Sequence, residues 1–172
     1  MIRKEELMMS CHIKHLQKND WVLWKEIRLE ALKRHPEAFG GTYEEECLWS
    51  DEDFKLGLVK SDIFGAFIDN RLVGVAGIFV IQSKKLKHKG TLFSLYVKNE
   101  KRGQGIADQL VKAVINHVRQ RVLQLHCTVV TNNNSALKLY QRHGFQIYGT
   151  EPRSLKVNEK FYDEHLMVLK FE

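Results

Sequence analysis

Hydrophobic positions along the chain alternate between a spacing of two and a spacing of three to four, and the switches mark out its elements. Ile13 to Gln17 reads as a short strand, after which Asn19 or Asp20 serves as N-cap for a helix reaching His35. Trp24, Ile27, Arg28, Ala31 and Leu32 share one face of that helix. Pro36 ends it, because the ring lacks an N–H and forces residue 35 out of the helical region. Phe39-Gly40-Gly41-Thr42 is a turn, and Thr42-Tyr43-Glu44-Glu45 reads as a capping box that opens a second helix. Ile63 to Ile68, the turn Asp69-Asn70 and Leu72 to Ile81 form a hairpin, since Asp and Asn tolerate the positive φ of a tight turn. A strand from Gly90 to Val97 follows, then a helix in which Ile106, Leu110, Ala113, Val114 and His117 recur at three and four. Val122 to Val130 is continuous enough for a central strand. Asn132 or Asn133 caps a helix that ends at Gly144, and Phe145 to Tyr148 and Lys160 to Phe171 finish as strands, with Glu151-Pro152-Arg153 in the loop between them. The order β-α-α-β-β-β-α-β-α-β-β predicts a mixed α/β domain.

Composition narrows the class. With 172 residues, 44% hydrophobic and 28% charged, the chain reads as a single soluble domain, 1–172, in which residues 1–10, charged at Arg3, Lys4, Glu5 and Glu6, form a loose N-terminal extension. Cys11, Cys47 and Cys127 are odd in number and lack C-x-x-C pairing, which signals neither a disulfide framework nor a zinc site and fits a reducing cytoplasm. No H-E-x-x-H spacing occurs among the histidines, so no metal is expected. No apolar h-region and no run of apolar residues long enough to span a bilayer is present, so no membrane partner is expected. A net charge of +6 suits an acidic or polyphosphate ligand, or simply a solvated basic surface such as Lys84 to Lys89. Nucleic acid is not expected, because no reader motif or stacking-aromatic pattern accompanies the charge.

The chemistry concentrates after the strand Leu92 to Val97. A charged turn, Lys98 to Lys101, leads into Arg102-Gly103-Gln104-Gly105-Ile106-Ala107, which opens the next helix. Strand, glycine turn and helix in sequence aim free backbone N–H groups and the positive end of the helix dipole at one point, where a pyrophosphate fits. A mononucleotide P-loop needs Gly-Lys-Ser/Thr, and Gly105 is followed by Ile106 and Ala107. A dinucleotide fingerprint needs a third glycine where Asp108 stands. What remains is Arg/Gln-x-x-Gly-x-Gly/Ala, satisfied by Arg102, Gly105 and Ala107, and it resembles the acyl-CoA pyrophosphate loop of the GCN5-related N-acetyltransferases (GNAT). Asn133, Ala136, Tyr140, Gly144 and Phe145 resemble the later motif of that family in order and spacing. The resemblance covers Phe64 to Phe145 well and the N-terminal third only in general layout.

The resemblance implies an α/β fold with a mixed, mainly antiparallel central sheet, helices on both faces, and central strands splayed so that a pantetheine arm slots between them. Backbone groups of Leu95, Tyr96 and Val97 would pair with that arm, and Arg102, Gly103, Gln104, Gly105, Ile106, Ala107 and Asn133 would complete the site for acetyl-CoA as cosubstrate. Tyr140 falls where the family's general acid lies. The two N-terminal helices would roof the acceptor site, making Arg28, Phe39 and Tyr43 substrate candidates by analogy, with packing and capping as their alternative roles. The implied reaction is direct attack of a primary amine, a small amine, polyamine or protein amino group, on acetyl-CoA. The chain departs from the family in one respect: many relatives carry a glutamate on the strand before the glycine loop, and Gly90 to Leu95 holds no carboxylate. His88, Glu44 to Glu46 and Glu151 are substitutes as base, and a water chain is another. That departure also keeps open a non-catalytic acyl-CoA-binding regulatory module. A homodimer stays open.

Overall fold

The computed structural model describes residues 10–172. The expected N-terminal extension lies, Ser10 apart, outside the described residues. β1 (His12–His15) precedes helix α1 (Trp21–Arg34), which stops at His35, whose N–H donates to Ala31 O before Pro36. Asp20 stands at the N-cap of α1 without capping it; its carboxylate turns back to accept the Gln17 N–H at 2.7 Å.

The second predicted helix is two. α2 (Tyr43–Glu46) is a single turn capped by Thr42, and α3 (Asp51–Lys60) starts afresh from a capping box in which Ser50 and Asp53 satisfy each other's backbone N–H groups. Ser50 and Asp53 sit at the box spacing, so the second start is written in the sequence as plainly as the first.

β2 (Asp62–Ile68) and β3 (Arg71–Val80) form the predicted hairpin, with Asp69 and Asn70 at φ 48° and 60°. β4 (Lys89–Val97), α4 (Ile106–Val118), β5 (Gln124–Val130) and α5 (Asn134–Arg142) follow in the expected order. β6 (Gln146–Val157) overturns one boundary: Glu151-Pro152-Arg153 is not a loop but part of this strand, and the turn to β7 (Lys160–Lys170) comes later. The sequence Glu-Pro-Arg fits there because β6 is the sheet's last strand, where a missing donor costs no ladder bond. The register slips between Glu151 and Leu155, Arg153 adopts φ 52°, and its N–H donates to Asp163 Oδ1 at 2.8 Å.

The seven strands form one sheet ordered β1-β2-β3-β4-β5-β7-β6, antiparallel everywhere except between β4 and β5. Each face carries its own core. On one, Ile106, Leu110, Val111, Val114 and Val118 of α4 and Leu139 and Tyr140 of α5 pack on the sheet. On the other, Trp24, Ile27 and Ala31 of α1 meet Phe54 and Leu58 of α3. Each buried aliphatic side chain of this kind contributes about 1.5–3 kcal/mol, so both helix layers are firmly seated.

β4 and β5 pair only over Lys89 to Thr91 and Gln124 to His126. Beyond those residues β4 keeps its pairing with β3 to Val97 and β5 keeps its pairing with β7 to Val130, so the sheet opens between them. A bulge accompanies the opening: Ser94 adopts φ 56°, and the β3–β4 register shifts by one residue there.

Candidate active site

Free backbone groups collect in the gap between β4 and β5. Lys98 N–H donates to Val73 O at 2.9 Å, which turns the Val97 carbonyl the other way, to accept Arg102 Nε at 3.2 Å. Pairing edges alternate along an antiparallel strand, so Leu95 and Val97 present N–H and C=O to the gap while Tyr96 presents its own to β3. Of the three residues expected to pair with a pantetheine arm, Tyr96 is thus placed differently: it contributes side chain, not backbone. Its phenol donates to Glu30 Oε1 at 2.9 Å, and burial together with that carboxylate pushes its pKa up to about 12.

The glycine loop continues the same edge. Gly103 and Gly105 both adopt φ +75°, and a Cβ at either would meet no other atom, so backbone conformation rather than space calls for glycine. Among the described residues no backbone acceptor takes up the N–H groups from Gly103 to Asp108. They gather at the N-terminus of α4, where the helix dipole adds positive charge. A cleft of about 760 Å³ lies over them, walled by Leu95, Tyr96 and Val97 on one side and by Val130 and the start of α5 on the other. Lys101, Arg102, Lys138, Arg142 and Lys160 give it a cationic rim. Arg102 is held by Val97 O, and its Nη2 lies 3.0 Å from His35 Nε2. Gly103, Gly105, Ile106 and Ala107 line this cleft; the side chain of Gln104 does not, and only its N–H belongs to the cradle. Asn133 caps α5 by accepting the Ala136 N–H on Oδ1 at 3.1 Å.

A second cleft, of about 330 Å³, continues from the first, and Leu95, Val130, Asn133 and Ala136 line both. Tyr140 enters here. It is 5% exposed, its ring lies edge-on to Phe145, and burial, aided by the neighbouring Cys127, holds its phenol well above the ordinary range. Among the described residues no fully buried side-chain polar atom lacks a hydrogen-bond partner, and no hydrogen bond to protein perturbs this phenol, so its oxygen opens to the cleft. Arg28 and Phe39, two of the substrate candidates, line this cleft, but Arg28 is already engaged. Its Nε and Nη2 donate to the two oxygens of Glu46 at 2.8 and 2.6 Å, and Nη1 donates to Ser94 Oγ at 2.7 Å. Gly41 leaves room for this pair, since a Cβ there would run into the Glu46 carboxylate and the Arg28 guanidinium. Tyr43 lines neither cleft; its ring lies under the Lys33 ammonium.

Comparison with known proteins agrees with this architecture. The family model described as "Acetyltransferase (GNAT) family" matches residues 24–145. The chain belongs to the GNAT acetyltransferase family. Among its relatives, an L-amino acid N-acetyltransferase of Escherichia coli (strain K12) is 25% identical over 161 residues, 90% of this chain and 94% of the relative. A spermine/spermidine N(1)-acetyltransferase of Bacillus subtilis (strain 168) is 29% identical over 90 residues, 49% of this chain and 59% of the relative. A GNAT acetyltransferase structure from Streptococcus pneumoniae superposes with a TM-score of 0.82 at 23% identity, covering 95% of this chain and 100% of that one. A putative acetyltransferase from Salmonella typhimurium, solved with acetyl-CoA, also superposes with a TM-score of 0.82, at 15% identity and with 95% of each chain covered.

β4 of this GNAT-family chain carries no carboxylate, and one carboxylate from another strand lines the smaller cleft. His88, Glu44, Glu45 and Glu151 are exposed and line neither cleft, and Glu46 is held by Arg28. Glu164 of β7 does line the smaller cleft. In the sequence it interrupts the apolar alternation Tyr162, Leu166, Val168 on one strand face, which is the signal that would have found it. Ser94 and His35 carried no comparable signal, because a bulge and a post-helical turn gave them their places. Among the described residues no group of three or more His, Cys, Asp or Glu stands where it could hold a metal ion, and no helix is long and apolar enough to cross a membrane.

Proposed function

We propose that the chain transfers the acetyl group of acetyl-CoA to a primary amine by direct attack, with Tyr140 as general acid. The observation that carries this reading is the junction of the two clefts: a cradle of unpaired N–H groups leads along the free edge of β4 to a second cavity holding a protonated phenol. The pyrophosphate belongs on the N–H groups from Gly103 to Asp108, with Arg102 beside it, and the pantetheine arm belongs against Leu95 and Val97. The thioester then lies near Leu95, whose free N–H faces the oxygen that gains charge as the amine adds to the carbonyl carbon.

Three proton transfers accompany that step. An alkyl ammonium, pKa about 10.4, must pass a proton to water before its lone pair attacks, the nitrogen sheds a second to water as the amide forms, and a departing thiolate, parent pKa about 8.5, gains one. Tyr140 supplies the proton that sulfur gains: as the C–S bond breaks its O–H passes the proton to sulfur and is later replenished from solvent. A phenol whose pKa is raised by burial stays protonated across the neutral range, as an acid must. A cytoplasmic setting belongs to this reading and is supported by Cys11, Cys47 and Cys127 all being free thiols.

A thiol-release assay with acetyl-CoA over a panel of amines tests the proposal; at least one amine is expected to liberate CoA faster than buffer does. The second reading, an acyl-CoA-binding module without turnover, is favoured by the bare β4 strand. It requires that CoA raise the melting temperature while no amine produces free thiol.

A further inference from the structure

Glu164 is a carboxylate more than nine-tenths buried that no cation of the described residues answers. It pairs with Val130 of β5 in the sheet register, is 8% exposed, and lines the smaller cleft together with Tyr140. One of its oxygens accepts Ser154 Oγ at 2.6 Å; among the described residues that serine is its one side-chain partner. The other oxygen is left without one, and since no fully buried polar atom of the described residues is unpartnered, it opens to the cleft. Sequestering an ionised carboxylate without a counter-charge is unfavourable, and the imbalance disappears when a ligand brings the cation.

The other charge on the cleft wall points the same way. Arg28 has spent its Nε–Nη2 edge on Glu46 and its Nη1 on Ser94, so the pair is neutral and the guanidinium is already engaged. Phe39 and Phe93 add apolar wall, and the face of Phe39 already carries the Arg28 guanidinium at 5.7 Å, so neither supplies a charge to an anion. We propose that Glu164 receives the cationic nitrogen of the acceptor, and that the acceptor is therefore an amine with no carboxylate on its amine-bearing carbon. This rests on the acetyl-transfer reading for the identity of the cleft. An α-amino acid would bring its carboxylate within two bonds of the nitrogen, against Glu164, with the cleft's single guanidinium already neutralised.

Matched pairs differing by one carboxylate test the assignment: phenethylamine against phenylalanine, and agmatine against arginine. Each is measured for thiol release at saturating acetyl-CoA, and by titration calorimetry into protein saturated with CoA. The member without the carboxylate is expected to show about tenfold or higher kcat/KM and affinity, the scale of a like-charge clash. Glu164→Gln keeps the shape and the Ser154 contact; it should raise KM for the amine about tenfold, as loss of a charge-assisted bond does. It should change kcat less, bring the ratio within each pair toward one, and leave KM for acetyl-CoA where it was. Ser154→Ala, which leaves the charge but frees its orientation, should shift the ratio the same way by less. Amino acids acting or binding as well as their amines overturn the assignment, as does a pair ratio that Glu164→Gln leaves untouched, or a CoA-loaded protein that binds neither class. Selective amine binding lost in Glu164→Gln, with no thiol released by any amine, upholds the assignment and removes the acetyl-transfer reading instead.

Discussion

The two clefts of this molecule are built from different materials. The larger has a backbone floor, N–H groups between Gly103 and Asp108 and the free edge of β4 at Leu95 and Val97, all from one continuous stretch of chain, with side chains of α5 and β7 only closing its other side. The smaller is made of side chains brought from α1, β4, α5 and β7, residues 28, 94, 140 and 164 among them. In the proposed reading the backbone cradle takes the one feature common to every acyl-CoA, its diphosphate, and is indifferent to most side chains around it. A side-chain cavity can be respecified by one substitution, which suits it to the acceptor in the proposed reading.

Substitutions should separate the two regions. The largest effect is expected at Tyr140: Tyr140→Phe removes the proton donor and should lower kcat by about 10²-fold or more, the range of general acid catalysis, with KM for acetyl-CoA little altered in steady-state thiol release. Next is the pair beneath the acceptor cleft, where Arg28 is 12% and Glu46 5% exposed by side chain. Arg28→Ala strands a buried carboxylate and should cost about 3–5 kcal/mol of stability in denaturant unfolding, whereas the double replacement Arg28→Met with Glu46→Leu should cost clearly less than the sum of its parts. In the cofactor cleft, Gly105→Val forces a branched side chain into φ +75° at a cost of about 1–3 kcal/mol, and a loop that relaxes to escape it loses its aim. Calorimetric affinity for CoA should fall about tenfold or more for each 1.4 kcal/mol so lost. Gln104→Ala, one residue away, removes only a side chain and should stay within about 0.5 kcal/mol on the same measure. Equal losses at Gly105 and Gln104 would break the contrast between a backbone site and a side-chain site.

The smallest effect lies remote from both clefts. Asp62 of β2 is partly buried, which alone would raise its pKa, but hydrogen bonds and charge from Arg121 and His117 outweigh this and hold it below the usual carboxylate range. A depressed carboxyl contributes stability that is complete above its unfolded pKa of about 3.9 and is lost as pH falls through the lower folded value. Wild type should therefore lose stability faster than Asp62→Asn on acidification below that point, as followed by melting temperature, while CoA affinity of the two stays equal near neutral pH.

Much of the scaffold was legible because its signals are local. Pro36 stops α1, Asp69-Asn70 turns the hairpin, and the spacing of Ile106, Leu110 and Val114 declares the buried face of α4. Where the reading slipped, a longer-range fact had intervened. Pro152 reads as a loop residue until β6 is known to be the edge of the sheet. Tyr43 reads as a roof residue until its ring is found under Lys33, and Arg28 reads as a free cation until Glu46 is brought against it.

The sequence by itself determined the family, the order of the strands and the glycine loop that opens α4, because glycines, caps and apolar spacing act over a few residues and carry their meaning wherever they stand. Only the tertiary structure decided which charges are answered and which are not. Pairing Arg28 with Glu46 and leaving Glu164 to a serine depends on α1, α2, β6 and β7 arriving at one place, and the free energy of a charge is set by the neighbours and the solvent it finds there.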